Sequence, residues 1–323
     1  MRFFINDRLD PAFNLALEEI LCREFPQELL MLWRNGPSVI VGRNQNTFAE
    51  VNHAFAEEQG ISVVRRMTGG GAVYHDCGNV NYSLMIHQRC PGADSFAEFA
   101  RPVTEALRKM GVNAEFSGRN DILVDGRKIS GSAQCCVKQR TLFHGTLLFE
   151  ADMEMLGRVL TPGKLKIESK GVKSVRSRVA NIKEFLPGMD VESFMEQLTE
   201  TLKSYAGAAE PVPDEWIRRA EELACERYRK PEWNWGSPFP CQWENAARFP
   251  NAGIVELKVQ TVSGRIEEIR ITGDFFGDAQ VVAETLKGVL FRRSDIAAAL
   301  KDGLVEQSVR GLTTAEFLSL INF

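Results

Sequence analysis

The chain has 323 residues, 44% hydrophobic and 25% charged, a balance that excludes general disorder and allows two domains, one with a sizeable core. A formal net charge of -4 at pH 7 excludes wholesale nucleic-acid binding, so any anion site must be local. The opening MRFFINDRLD lacks a signal-peptide core and no stretch approaches the ~20 apolar residues of a membrane span, which predicts a cytoplasmic protein.

Asp10 followed by Pro11 signals a helix start, with Phe13, Ala16, Leu17, Ile20 and Leu21 on the face that should pack on a sheet. Strands are predicted over residues 29–33, 38–41, 61–65 and 80–86. Several lie too close together for helical crossovers, which favours antiparallel or mixed pairing. Ser95 and Glu98 form a capping box ahead of a helix closed by Gly111. Asp125-Gly126 is a hairpin turn between strands around 122–124 and 128–130, and 140–150 reads as another strand. Helices follow over 191–205 and 214–228, then an irregular aromatic stretch over 231–243. Ile254, Leu257 and Val259 with Ile266, Ile269 and Ile271 predict a hairpin, followed by three short helices. The change of texture places a boundary near residue 246, giving domains 1–246 and 247–323. Seven scattered cysteines without C-x-x-C spacing suggest neither a disulfide framework nor a zinc site.

Between two of these strands runs Arg65-Arg66-Met67-Thr68-Gly69-Gly70-Gly71-Ala72-Val73-Tyr74-His75-Asp76. Consecutive glycines let backbone amides approach an anion, and Arg66 offers a planar donor fork, so the segment is either a phosphate cradle or a glycine-rich turn. It is neither a Walker A loop nor a Rossmann fingerprint. Further on, Lys128 lies on a strand beside the small residues Ser130, Gly131 and Ser132. A lone lysine is usually a solvated surface group, yet this one could also carry a single positive charge into a site. Asn120 and Asp121 could supply oxygens to magnesium or simply cap a turn.

Taken with Gly78-Asn79, residues 118–121, 128–133 and His144-Gly145-Thr146-Leu147-Leu148, these motifs resemble the lipoate-protein ligase A family of the biotin/lipoate protein ligase superfamily. The likeness continues through residues 30–46, 169–181 and Gly273-Asp274-Phe275-Phe276-Gly277, almost the whole chain. The resemblance implies an α+β catalytic domain with a central mixed, largely antiparallel sheet flanked by helices, then a small α+β accessory domain that reorients during the reaction. It implies an ATP- and Mg2+-dependent ligase that converts lipoate to lipoyl-AMP with release of pyrophosphate. The lipoyl group then passes to a lysine of the lipoyl domain of a 2-oxoacid dehydrogenase E2 subunit or of the glycine cleavage H protein. By the same resemblance Arg66, Gly71, Ala72, Val73, Tyr74 and Lys128 hold the nucleotide, and Lys128 is the catalytic residue, also meeting the lipoyl carboxyl. Trp33 and His75 belong to the lipoate site, and Asn120 and Asp121 neighbour the magnesium. The expected protein is a monomer with no nucleic-acid or membrane partner.

A basic run from Lys164 to Lys183, with Lys166, Lys170, Lys173, Arg176 and Arg178 against Glu168 alone, would cover the adenylate or face an acidic acceptor. The main rival is a transferase of the same superfamily that uses a cysteine nucleophile and no ATP, because Cys135 and Cys136 lie near Lys128. Such relatives carry the nucleophile upstream of the lysine, where residues 114–119 contain no cysteine. The G-R-G-R-x-G loop of biotin ligases is absent, and a non-catalytic carrier-binding protein would have no reason to keep Arg66, the glycines and Lys128 together.

Overall fold

The computed structural model describes residues 1–87, 95–118, 120–161, 179–236, 239–301 and 303–321. Its strands are β1 (Arg2–Asn6), β2 (Leu29–Arg34), β3 (Ser38–Val41), β4 (Ser62–Arg65), β5 (Val73–His75), β6 (Asn79–Ile86) and β7 (Glu115–Ser117). They continue with β8 (Asp121–Val124), β9 (Arg127–Val137), β10 (Arg140–Leu148), β11 (Ala209–Pro211), β12 (Trp243–Phe249), β13 (Gly253–Val262) and β14 (Arg265–Gly273).

The central sheet has the order β11-β1-β2-β6-β10-β9-β8-β7; β1 runs parallel to β2 and β11, and the other neighbours are antiparallel. It is mixed and largely antiparallel, as expected. β3, β4 and β5 form a separate small sheet, in which β3 and β4 are parallel because the link between them carries helices Thr47–Glu50 and His53–Glu58. The sequence did not announce β1, β5, β7 or β11, which are too short for periodicity to register.

Alternation along β6 separates the two faces of the sheet. Val80, Tyr82, Leu84 and Ile86 enter a core with helices Ser95–Lys109 and Val191–Ala206. Asn81 and Ser83 point the other way, toward helix Pro11–Glu24. Asp10 caps that helix by accepting from the amides of Ala12 and Phe13. The helix is buried throughout residues 11–22 rather than on one face, since helix Asp214–Leu223 and its continuation Ala224–Tyr228 cover its outer side.

β12, β13 and β14 make an antiparallel sheet of their own, with a core that includes Val255, Leu257, Phe275 and Phe317. The expected hairpin is thus three strands, residue 246 lies within the first of them, and the short helices are Gln280–Leu286, Arg293–Ala299, Leu304–Ser308 and Thr314–Ser319. Cys136 is disulfide-bonded, against the expectation from cysteine spacing, which carries no information about pairing in space. Among the described residues no helix is long and apolar enough to cross a membrane.

Candidate active site

Register across the central sheet lays a row of side chains along its helix Pro11–Glu24 face. Trp33 on β2 pairs with Asn81 on β6, Asn81 pairs with Thr146 on β10, and Thr146 Oγ1 lies 3.4 Å from the Gly131 amide on β9. Directly paired residues share a face, so the row crosses three strand spacings, about 14 Å. Over it lies a cavity of about 200 Å³ whose walls include Trp33, Arg66, Gly71, Ala72, Val73, His75, Asn120 and Lys128. Tertiary structure thus gathers residues drawn from segments far apart in the chain.

The glycine loop is built around Arg66, which is 5% exposed. Its Nε donates to Thr68 Oγ1 at 2.9 Å and Nη1 to Ile40 O at 3.0 Å, while Nη2 donates to Gly69 O at 2.7 Å and Gly71 O at 2.9 Å. Burial pushes the guanidinium down to about 10, which leaves it a cation at neutral pH. The fork that the sequence offered to phosphate is mostly spent on shaping the loop, so Arg66 contributes charge more than free donors. Arg65 anchors the neighbouring turn through Nη1 to the carbonyls of Gly42, Arg43 and Gln45.

The C-terminal unit closes over this loop. Gly70, at φ +91, donates its amide to Phe275 O at 3.1 Å, and the Gly273 amide donates to Asn44 O at 2.9 Å. Asp274 and Phe276 complete the cavity wall.

Lys128 Nζ meets Asp121 Oδ1 at 2.6 Å. β8 and β9 pair Ile122 with Ser130 but Leu123 with Lys128, so Ile129 is an extra residue in the ladder. This bulge brings Lys128 to the Gly131 side, and a Cβ on Gly131 would sit 2.8 Å from Nζ. Both charged side chains are about a third exposed, so the pair is weak enough for the amine to leave it for an incoming anion. Asn120 donates Nδ2 to Ser132 O at 2.6 Å, which turns its Oδ1 away from that carbonyl. Among the described residues no group of three or more His, Cys, Asp or Glu side chains is placed to hold a metal.

Behind the cavity runs a buried chain, of which sequence reasoning missed Glu18 and Ser83. Trp33 Nε1 donates to Ser83 Oγ at 2.7 Å, and Ser83 donates to Glu18 Oε1 at 2.5 Å. His144 bridges Glu18, 2.9 Å from Nδ1, and Thr68 Oγ1, 2.8 Å from Nε2. The aromatic end of the cavity is thereby tied to the Arg66 loop. A carboxylate inside a helix of apolar neighbours was the available signal for Glu18. Asn81 and Ser83 alternate with apolar residues, a pattern that reads as a solvent face when only the sequence is seen.

His75 is buried, and burial first, then the charges of Arg66 and His144, push it down to about 3. Its ring meets Trp33 edge-on at 6.5 Å. Tyr74, between the inward Val73 and His75, turns its side chain into a separate cluster with Val39, Val41 and Phe55. Burial pushes that phenol up to about 12, and Tyr74 is not among the residues that line the cavity. Burial also pushes the Cys135 thiol up, opposite to what a cysteine nucleophile requires. Arg119 and the basic residues Lys164, Lys166, Lys170, Lys173, Arg176 and Arg178 lie outside the described residues; Lys183 pairs with Glu150 at 2.5 Å.

Residues 10–203 match the family model for the lipoyl protein ligase A/B catalytic domain, and residues 239–321 match that for the bacterial lipoate protein ligase C-terminus. The chain is 40% identical to lipoate-protein ligase LplJ of Bacillus subtilis (strain 168), over 99% of this chain and 100% of that one. Its fold is similar to the crystal structure of P. falciparum LipL1 in complex with lipoate, with a TM-score of 0.80 and 24% identity over 98% of this chain and 97% of that one. It is also similar to a crystal structure of lipoate-protein ligase A bound with ATP, with a TM-score of 0.63 and 28% identity over 73% of this chain and 98% of that one.

Proposed function

Because this chain belongs to the lipoyl protein ligase A/B family and is an enzyme of the lipoate-protein ligase class, we propose that it activates lipoate with ATP and passes the lipoyl group to a lysine of an acceptor protein. The observation that carries this reading is the row from Trp33 to Lys128, with an apolar aromatic at one end and an amine beside a glycine loop at the other.

Lipoate lies along the row, its dithiolane at Trp33 and its carboxylate at Lys128. A carboxylate oxygen attacks the α-phosphorus of ATP, the bond to the bridging oxygen breaks, and pyrophosphate leaves. Charge that builds on the phosphate oxygens is met by Lys128, released from Asp121, by the Arg66 cation, and by the amides of Gly71, Ala72, Val73 and Tyr74. Asn120, whose Oδ1 is left free by its Nδ2 bond to Ser132 O, and the Asp121 carboxylate are the residues that would hold a magnesium ion by their oxygens. When bound, the ion neutralises phosphate charge.

In the second step the acceptor amine attacks the lipoyl carbonyl carbon, the carbon–oxygen bond to AMP breaks, and the proton lost by the amine passes to the departing AMP phosphate or to solvent. The acceptors are lipoyl domains of 2-oxoacid dehydrogenase E2 subunits or the glycine cleavage H protein. Phe276 and Asp274 stand over the site, so the C-terminal unit reorients to admit the acceptor lysine. Incubation with lipoate and labelled ATP should release pyrophosphate and yield lipoyl-adenylate. Acyl transfer that persists without ATP would overturn the reading.

A further inference from the structure

The two ends of the cavity differ in chemistry, and the tail end is not wholly apolar. His75, packed edge-on against Trp33, sits there, three strand spacings from the Lys128 end of the row. Its Nδ1 lies 3.0 Å from Asn35 Nδ2. The direction of that bond is fixed by the next one, because Asn35 Oδ1 already accepts from Asn14 Nδ2 at 2.9 Å. Asn14 is held in turn: its Oδ1 accepts from Asn6 at 2.7 Å, and its Nδ2 is fixed as the donor by the carbonyls of Arg8 and Arg34 at 2.8 Å, its two hydrogens being shared among these carbonyls and Asn35 Oδ1. Asn6, Asn14 and Asn35 are buried.

Asn35 therefore donates, His75 Nδ1 accepts, and the single proton of the neutral ring is on Nε2. That Nε2 is buried without a hydrogen-bond partner among the described residues, and His75 lines the cavity. Asn81, beside Trp33 in the row, likewise lines the cavity with an unpartnered Nδ2.

We propose that Asn35, held by Asn14, fixes His75 as an Nε2–H donor at the tail end of the acyl cavity. There it selects an acid whose tail carries an acceptor, such as the ring sulfurs of lipoate, over one with a plain alkyl tail, such as octanoate. The inference rests on the reading of this cavity as the acyl site. An alkyl tail takes the water from around the donor and returns nothing, whereas a thioether-like sulfur returns a weak hydrogen bond. His75 acts on the bound acid, and Asn35 is a positioning residue.

The test is the ratio of kcat/KM for lipoate over octanoate in ATP-dependent pyrophosphate release. His75→Phe keeps a ring against Trp33 and removes the donor; the ratio should fall about 5- to 10-fold, mainly through KM for lipoate. His75→Gln, which restores an N–H near the same place, should recover most of it, and Asn35→Leu should move the ratio the same way by less. An unchanged ratio in folded His75→Phe, or equal losses for both acids, would overturn the proposal. Binding to the wild-type protein gives an arm independent of folding: the cyclopentyl analogue of lipoate, with carbon in place of both sulfurs, should bind about 5- to 10-fold more weakly than lipoate. Equal affinity would also overturn it. If the wild type releases pyrophosphate with neither acid, it is the ligase reading that fails.

Discussion

The amide of Gly70 donates to the carbonyl of Phe275 at 3.1 Å, so the glycine loop of the catalytic unit and the C-terminal unit share a backbone hydrogen bond at the mouth of the cavity. The fit is tight enough to exclude a methyl group next door. A Cβ on Gly69 would sit 2.3 Å from Phe275 O, a backbone atom that no rotamer change can move. Gly69→Ala should therefore separate the two units while leaving each folded. Small-angle scattering should report a larger radius of gyration with an unchanged far-ultraviolet spectrum; an unchanged radius would refute this closure.

Lys128→Ala removes the amine that lines the carboxyl end of the row. Pyrophosphate release should fall ~10²-fold or more, the scale for losing a preplaced donor to developing charge. The pair with Asp121, a third exposed, contributes little to the fold, so the melting temperature should hardly move. Near-normal turnover in a folded variant would reject the role.

Glu18→Ala strands Ser83 and His144, both bonded to this buried carboxylate. Urea denaturation should show a loss of about 3 kcal/mol, the range for breaking buried bonds to a charged group. Glu18→Gln, which keeps an acceptor oxygen, should lose less. Equal stability of Glu18→Ala and wild type would show that the chain behind Trp33 has no structural role.

His75 titrates near 6.5 in the unfolded chain and is held down to about 3 in the fold. Between those values the unfolded chain binds the extra proton. Stability is then complete above pH 6.5 and is lost as pH falls, by at most about 1.4 kcal/mol per pH unit. Between pH 7 and pH 5 wild type should lose up to about 2 kcal/mol more than His75→Phe, read from urea midpoints at each pH. Identical losses would place the depressed titration elsewhere.

Cys135→Ser should retain ATP-dependent ligation, because burial keeps this thiol protonated. Loss of activity in a folded Cys135→Ser protein would revive the cysteine-transferase alternative.

Local chemistry made part of this molecule legible from sequence. Asp10 and Pro11 started their helix at the expected residue, and Asp125-Gly126 turned the expected hairpin, with both residues at positive φ. The motif order pointed to the family, and Trp33, Arg66, Gly71 to Val73, His75, Asn120 and Lys128 do line one cavity. What a side chain does once inside the fold was decided only by long-range register. Alternation turned Tyr74 away from the cavity while Val73 and His75 faced it, a bulge at Ile129 laid Lys128 over Gly131, and the Arg66 fork closed on its own loop. Glu18, Ser83 and the Asn6, Asn14 and Asn35 chain stayed hidden because each looks like an ordinary polar residue until strands distant in sequence pair beside it. Sequence sets local conformation within a few residues, whereas burial and hydrogen-bond partners depend on which segments meet in space.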